Sequence, residues 1–202
     1  IFNSGSVNVT NSSFTNTTAN RYGGAIFNSG SVNVTNSSFT NTTVNQYGGA
    51  IYASGGGSVN VTNSSFTNTT AKNGGGAIYI DSGSVTVTNS SFTNTTANQY
   101  GGAIYNNRGS VTVTNSSFTN TTAQYGGAIY NTGSVTVEDS TFTNTTANNS
   151  GGAIYNRYGS VTVANSTFND NSAKGNGASI YTNSVLNVKD STFNSQNANG
   201  TA

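Results

Sequence analysis

Gly23-Gly24-Ala25-Ile26-Phe27, then Val32-Asn33-Val34-Thr35-Asn36-Ser37-Ser38-Phe39-Thr40-Asn41-Thr42-Thr43, is one turn of a pattern that fills the chain. Its opening returns from Gly48, Gly75, Gly101, Gly126 and Gly151, and a degenerate copy, Gly177-Ala178-Ser179-Ile180-Tyr181, closes the series. Ile recurs at positions 1, 26, 51, 78, 104, 129, 154 and 180, which makes eight copies with a period of 25–27 residues. A period of this length marks a stacked repeat, read here as one domain over residues 1–202.

The apolar skeleton is stricter than the period. Val34 precedes Phe39 by five residues, and the same step joins Val113 to Phe118 and every other pair. Val-x-Val with Asn or Thr between puts apolar groups on one face of a strand and polar groups on the other. Ile26, Val32, Val34 and Phe39, with Ile104, Val111, Val113 and Phe118 in a later copy, are therefore expected in stacked core columns. The odd step from Val to Phe breaks the alternation, so a bend is expected at Asn-Ser-Ser. Asn11, Asn36, Asn63, Asn89, Asn115 and Asn165 recur there and are read as an inward Asn ladder, interrupted by Asp139 and Asp190. The Ile-to-Val step varies from 6 to 8, which places a surface loop at that corner. Each copy then reads as three short strands and three corners. Strands one repeat apart pair in parallel, and parallel crossovers are right-handed. The expected fold is all-β: a right-handed, three-sided parallel β-helix of about eight coils.

Composition narrows the chemistry. The 202 residues include 35 Asn and 62 Ser or Thr, nearly half the chain, against only six Lys or Arg and five Asp or Glu. Without Cys or His there is no disulfide, thiol nucleophile, zinc site or His-dependent triad. A net charge of +1 gives no basic surface for nucleic acid. No apolar run is long enough to insert into a membrane as a helix.

Gly-Gly-Ala-Ile-Tyr followed by Val-x-Val-x-Asn-Ser-x-Phe resembles the repeats of adhesin-like surface proteins of methanogenic archaea. It is also similar to polymorphic outer-membrane protein repeats of chlamydiae, which pair GGA[ILV] with FxxN. Gly23–Ile26 and five later copies match the first element, and only Phe168–Asn171 matches the second. The resemblance covers the whole chain. It implies a pectin-lyase-like right-handed β-helix on a cell surface, extracellular and, by the first resemblance, archaeal.

Four surface features are candidates for function. The carboxylates Asp81, Glu138, Asp139, Asp170 and Asp190 are too scattered for the clustered acids of a polysaccharide lyase or hydrolase, and read as solvated charge. Among the Asn-x-Ser/Thr triplets, Asn8, Asn33 and Asn60 lie between inward Val residues, so they face out as candidate N-glycosylation sites. Thr15 and Thr17, Thr40 and Thr42, and their equivalents to Thr143 and Thr145 read as outward Thr-x-Thr rows, like the ice-binding face of a β-helical antifreeze protein. Tyr22, Tyr47, Tyr100 and Tyr125 precede the Gly pair, while Phe27, Tyr52, Tyr79 and their successors follow Ile on the outward side. Such rings either stack on one another or contact sugars and neighbouring rods.

These features point to a non-catalytic structural or adhesive rod of the cell surface, with no cofactor or metal. The alternatives are a carbohydrate-active β-helix and an ice-binding protein. Its partners would be itself, by head-to-tail coil stacking, and surface glycans or neighbouring cells. Asn199-Gly200-Thr201-Ala202, read onto Ile1-Phe2, approximates another copy of Gly-Gly-Ala-Ile-Phe. The array is therefore expected to be uncapped and to continue as a longer chain or a filament.

Overall fold

A computed structural model of the chain describes residues 1–199; the Gly200-Thr201-Ala202 junction lies outside them. One coil shows the plan: Ile104–Asn106, Gly109–Thr114, Ser117–Thr119 and Thr122–Tyr125 are successive strands. Each pairs in parallel with its equivalents one repeat away, so four eight-stranded sheets run along the rod. The pairing is repeat on repeat: Val111 lies beside Val85 and Val135, and Phe118 beside Phe92 and Phe142. No helix occurs among the described residues. At ~4.8 Å per coil the eight coils span about 38 Å.

Every coil has four strands where three were expected from sequence. The additional strand is the short Thr-Ala segment, such as Thr70–Ala71, which is too brief for alternation to show in the sequence. The core consists of straight columns. Ile26, Val32, Val34, Phe39, Ile104, Val111, Val113 and Phe118 are all at most 1% exposed. From Phe14 to Phe193 the Phe rings stack at centroid separations of 4.7–4.8 Å with planes within 5° of parallel. That spacing is the strand spacing itself, and it lies in the range favoured by offset aromatic pairs.

The bends explain the odd steps. Asn11, Asn36, Asn63, Asn89, Asn115, Asp139, Asn165 and Asp190 all have φ of 48–50°. This left-handed conformation is tolerated by Asn and Asp better than by other side chains with a Cβ. It turns these side chains outward, and all eight are exposed. The expected inward Asn ladder is thus not at this bend, and Asp139 and Asp190 continue the conformation instead of interrupting it. The inward residue is the next one, Ser. Ser90 Oγ donates to Thr88 O (2.8 Å) and accepts from the Ser64 amide (3.0 Å), and Ser116 repeats this against Thr114 and Ser90. Inward Asn occur elsewhere: Asn28, Asn106, Asn131 and Asn156, two residues after Ile, are fully buried. Their carboxamides donate to carbonyls of the variable loop, as Asn131 does to Ser134 O (3.1 Å).

The Gly pair has two separate causes. Gly101 has φ 58°, and a Cβ there would sit 2.0 Å from Ile104 O. Gly102 lies where two coils approach closely, and its Cβ would be 2.1 Å from Gly127 O of the following coil.

Candidate functional site: the tyrosine face

The outer face of the Ile sheet carries Phe2, Phe27, Tyr52, Tyr79, Tyr105, Tyr130, Tyr155 and Tyr181 in one column. Successive centroids are 4.7–5.2 Å apart. Alternation with the inward Ile puts them there. Beside this column runs a second one at the glycine corner. Tyr22, Tyr47 and Tyr100 tilt against the ring of the next coil: Tyr22 on Tyr52 (4.6 Å), Tyr47 on Tyr79 (4.7 Å) and Tyr100 on Tyr130 (4.8 Å). Tyr125 meets Tyr155 edge-on at 5.3 Å. The two columns interlock, and of the 11 Tyr in the chain only the exposed Tyr158 has no ring partner.

The corner column has gaps where the repeat lacks Tyr. Gly74 pairs with Tyr47 and Tyr100 in the position their neighbours give to Tyr. Ser150 takes the equivalent place two coils after Tyr100. Below Tyr125 a cleft of about 220 Å³ opens between Tyr100, Tyr125, Tyr130, Tyr155 and Arg157. Asn149 Nδ2 donates to the Tyr125 hydroxyl at its edge (2.9 Å). Arg157 forms none of the ion pairs among the described residues and lies 5.2 Å over the Tyr158 ring. Sequence reasoning named Tyr100 and Tyr125, and placed Tyr130 and Tyr155 in the outward stripe after Ile, but it did not bring the two sets together and missed Arg157. The missing Tyr at position 150 was the available signal. Tyr22 lines a different groove, with Phe2, Arg21 and Phe27, and Tyr47 lines neither.

Burial pushes the Tyr79 hydroxyl well above the ordinary phenol range, reinforced by the Asp81 carboxylate. Tyr105 is likewise raised by burial and then by its Tyr neighbours. Burial also raises Tyr130, against a lowering influence of Arg157. Tyr79 and Tyr130 are buried, at 7% and 5% exposed, so the accessible ring surface of this face comes from the half-buried Tyr of the two columns, such as Tyr47, Tyr100, Tyr105 and Tyr125. Such a surface can stack on rings or on another rod.

Elsewhere the surface is polar and carries few charges. Asp81 is engaged by Arg108 (3.2 Å), by Asn107 Nδ2 (3.0 Å) and by the Tyr79 hydroxyl (3.3 Å). Asp190 pairs with Lys189 at 3.8 Å. Among the described residues no three His, Cys, Asp or Glu come together as a metal site. Asn8, Asn33 and Asn60 face outward on the Val sheet and form a ladder: Asn33 Nδ2 donates to Asn8 Oδ1 (2.8 Å) and Asn60 Nδ2 to Asn33 Oδ1 (2.9 Å).

The Thr-x-Thr rows are not an outward array. Thr15, Thr40 and Thr67 face out, but Thr42, Thr69, Thr95, Thr121 and Thr145 are fully buried. Asn16, Asn41 and their equivalents between the two Thr have φ of 52–55°, which reverses the side on which the second Thr emerges. The flat two-column Thr face expected of an ice binder is therefore absent from these strands.

Stacked parallel coils, continuous side-chain columns and glycine corners define a parallel β-solenoid. Residues 49–202 match the family described as the right handed beta helix region, and the chain belongs to that family. Neither the curated proteins nor the solved structures gave a match. The fold fits a structural or adhesive rod, and β-helix proteins also include pectate lyase-like enzymes.

Proposed function

We propose that the chain is a non-catalytic, extracellular rod of a cell surface, acting as an adhesin segment or a surface filament. The observation that carries this reading is the regularity of all four sheets across eight coils. An enzyme of this fold needs one coil to depart from the others and gather acids, whereas here the carboxylates are dispersed and Asp81 is held by Arg108. Charge is scarce and the surface is mostly Ser, Thr and Asn, which suits a spacer in contact with water.

Self-association by coil stacking belongs to the same proposal. Each interior coil already pairs in parallel register with the coils on both sides of it, and the same contact can join one rod to another. The cleft bounded by Tyr100 and Arg157 is the adhesive contact this reading assigns to surface glycans. Asn8 is the favoured glycosylation site, because Asn33 and Asn60 use their Nδ2 groups in the ladder. Electron microscopy and light scattering of the purified chain, with antibody labelling of intact source cells, test the proposal. Rods joined end to end and label on the cell exterior support it. A monomer at all concentrations that degrades a polysaccharide overturns it.

A further inference from the structure

A rod outside the cell is commonly held together by covalent links, and this chain has no Cys with which to make disulfides. It also lacks Met, Trp and His, so Tyr is its only readily oxidised side chain. Ten of its 11 Tyr lie in one interlocked array, and every ring contact in that array joins different coils except Tyr100 with Tyr105.

We propose that the tyrosine face is a site of oxidative tyrosine coupling, at which a one-electron oxidant of the peroxidase–hydrogen peroxide class staples successive coils through dityrosine bonds. Each of two phenols loses one electron and one proton to become a phenoxyl radical. The radicals join through the ring carbons ortho to the hydroxyls, and each coupled carbon then releases its hydrogen as a proton while the ring regains its phenol. The net change is two Tyr plus one hydrogen peroxide to one dityrosine plus two water.

The geometry favours coupling within the rod. Tyr47 on Tyr79 (4.7 Å), Tyr100 on Tyr130 (4.8 Å) and Tyr155 on Tyr181 (4.7 Å) hold partner rings together before any radical forms. Pre-association of this kind replaces a diffusional encounter by an intramolecular step. The Tyr79 hydroxyl donates to Asp81 Oδ1 (3.3 Å), which gives the leaving proton an acceptor. A radical formed on an outer ring has a neighbour within 6.4 Å at each step, so oxidation anywhere on the face can reach a coupling pair. Each link closes a loop of about thirty residues, so it stabilises as a disulfide of that span does.

The test treats the purified full-length chain with a haem peroxidase and hydrogen peroxide, then maps the products by fluorescence and by mass spectrometry after proteolysis. The expected product is a monomer that has lost two hydrogens per link, with peptides from adjacent coils joined and a raised melting temperature. Tyr100→Phe keeps the ring and the packing but should abolish the link to Tyr130, while Tyr158→Phe should leave the pattern unchanged. Links formed only between molecules, or only through Tyr158, overturn the proposal. So does dityrosine yield no higher in the folded chain than in the same chain unfolded in urea. The outcome is independent of where the protein resides, so its failure is distinguishable from failure of the surface-rod reading.

Discussion

Tyr105 lies with its ring over Gly74: a Cβ at Gly74 would come 2.5 Å from Tyr105 Cδ1. The ring also stands at 88° to Tyr79 and 79° to Tyr130, whereas Tyr52 and Tyr79, or Tyr130 and Tyr155, are stacked nearly parallel. Tyr105 thus fills the gap left where the corner column has glycine.

Gly74→Ala should destabilise the rod by about 1–3 kcal/mol, because the methyl forces the ring out of a packed position. Tyr105→Ala removes the ring that the methyl strikes. In a double-mutant cycle followed by urea melting, the pair should cost clearly less than the sum of the singles. Additivity would show that the two residues do not pack on one another.

Ser90→Ala deletes both an acceptor for the Ser64 amide and a donor to Thr88 O. At a site only 5% exposed, the loss should cost about 1–3 kcal/mol. Hydrogen exchange should accelerate first at the Ser64 amide. Unchanged protection there would remove the Ser ladder from the account of the bend.

Length changes should be tolerated only at the loop between the Ile and Val strands. Gly55 and Gly56 are exposed there, with φ of 76° and 78°. Two residues inserted between them should leave the melting temperature nearly unchanged. The same insertion after Val113 shifts Phe118 out of its column and should unfold the coil. In the next coils the loop is shorter, since Gly83 and Gly109 already pair within the Val sheet.

Stability should fall at alkaline pH. Burial raises Tyr52, Tyr79, Tyr105, Tyr130 and Tyr155 above the ordinary phenol value. Their folded pKa values exceed the unfolded ones, so the folded chain holds more protons above the unfolded pKa. The contribution is complete below about pH 10 and is lost as pH rises beyond it. Part of the phenolate absorbance of the 11 Tyr should therefore appear only with the loss of circular dichroism. Complete ionisation of all 11 while the rod stays folded would contradict the burial of these five rings.

Ala178→Gly should strengthen coil stacking. At each second glycine a Cβ would meet the following coil's carbonyl, as at Gly152, where it would lie 1.8 Å from Ala178 O. The eighth copy carries Ala178 in that place, so a further coil docking in the same register meets a methyl group. Light scattering should show more end-to-end association for the glycine variant than for the parent chain. Equal association would mean that the next coil docks in a different register.

The sequence by itself determined the repeat, the coil number, the identity of the Ile, Val, Val and Phe columns and the position of the variable loop. It could do so because period-two burial and a fixed repeat length leave a direct trace in residue type. Only the tertiary structure decided which side Asn11, Ser12 and Thr17 take. Their direction depends on the left-handed backbone at Asn11 and Asn16, and two such residues per coil reverse the alternation twice. Likewise the sequence showed two sets of Tyr but not that they interlock, since Tyr100 meets Tyr130 only when one coil lies on the next. The cleft at Arg157 has the same origin: it is bounded by residues from three coils, and no spacing within a single repeat records the distance between them.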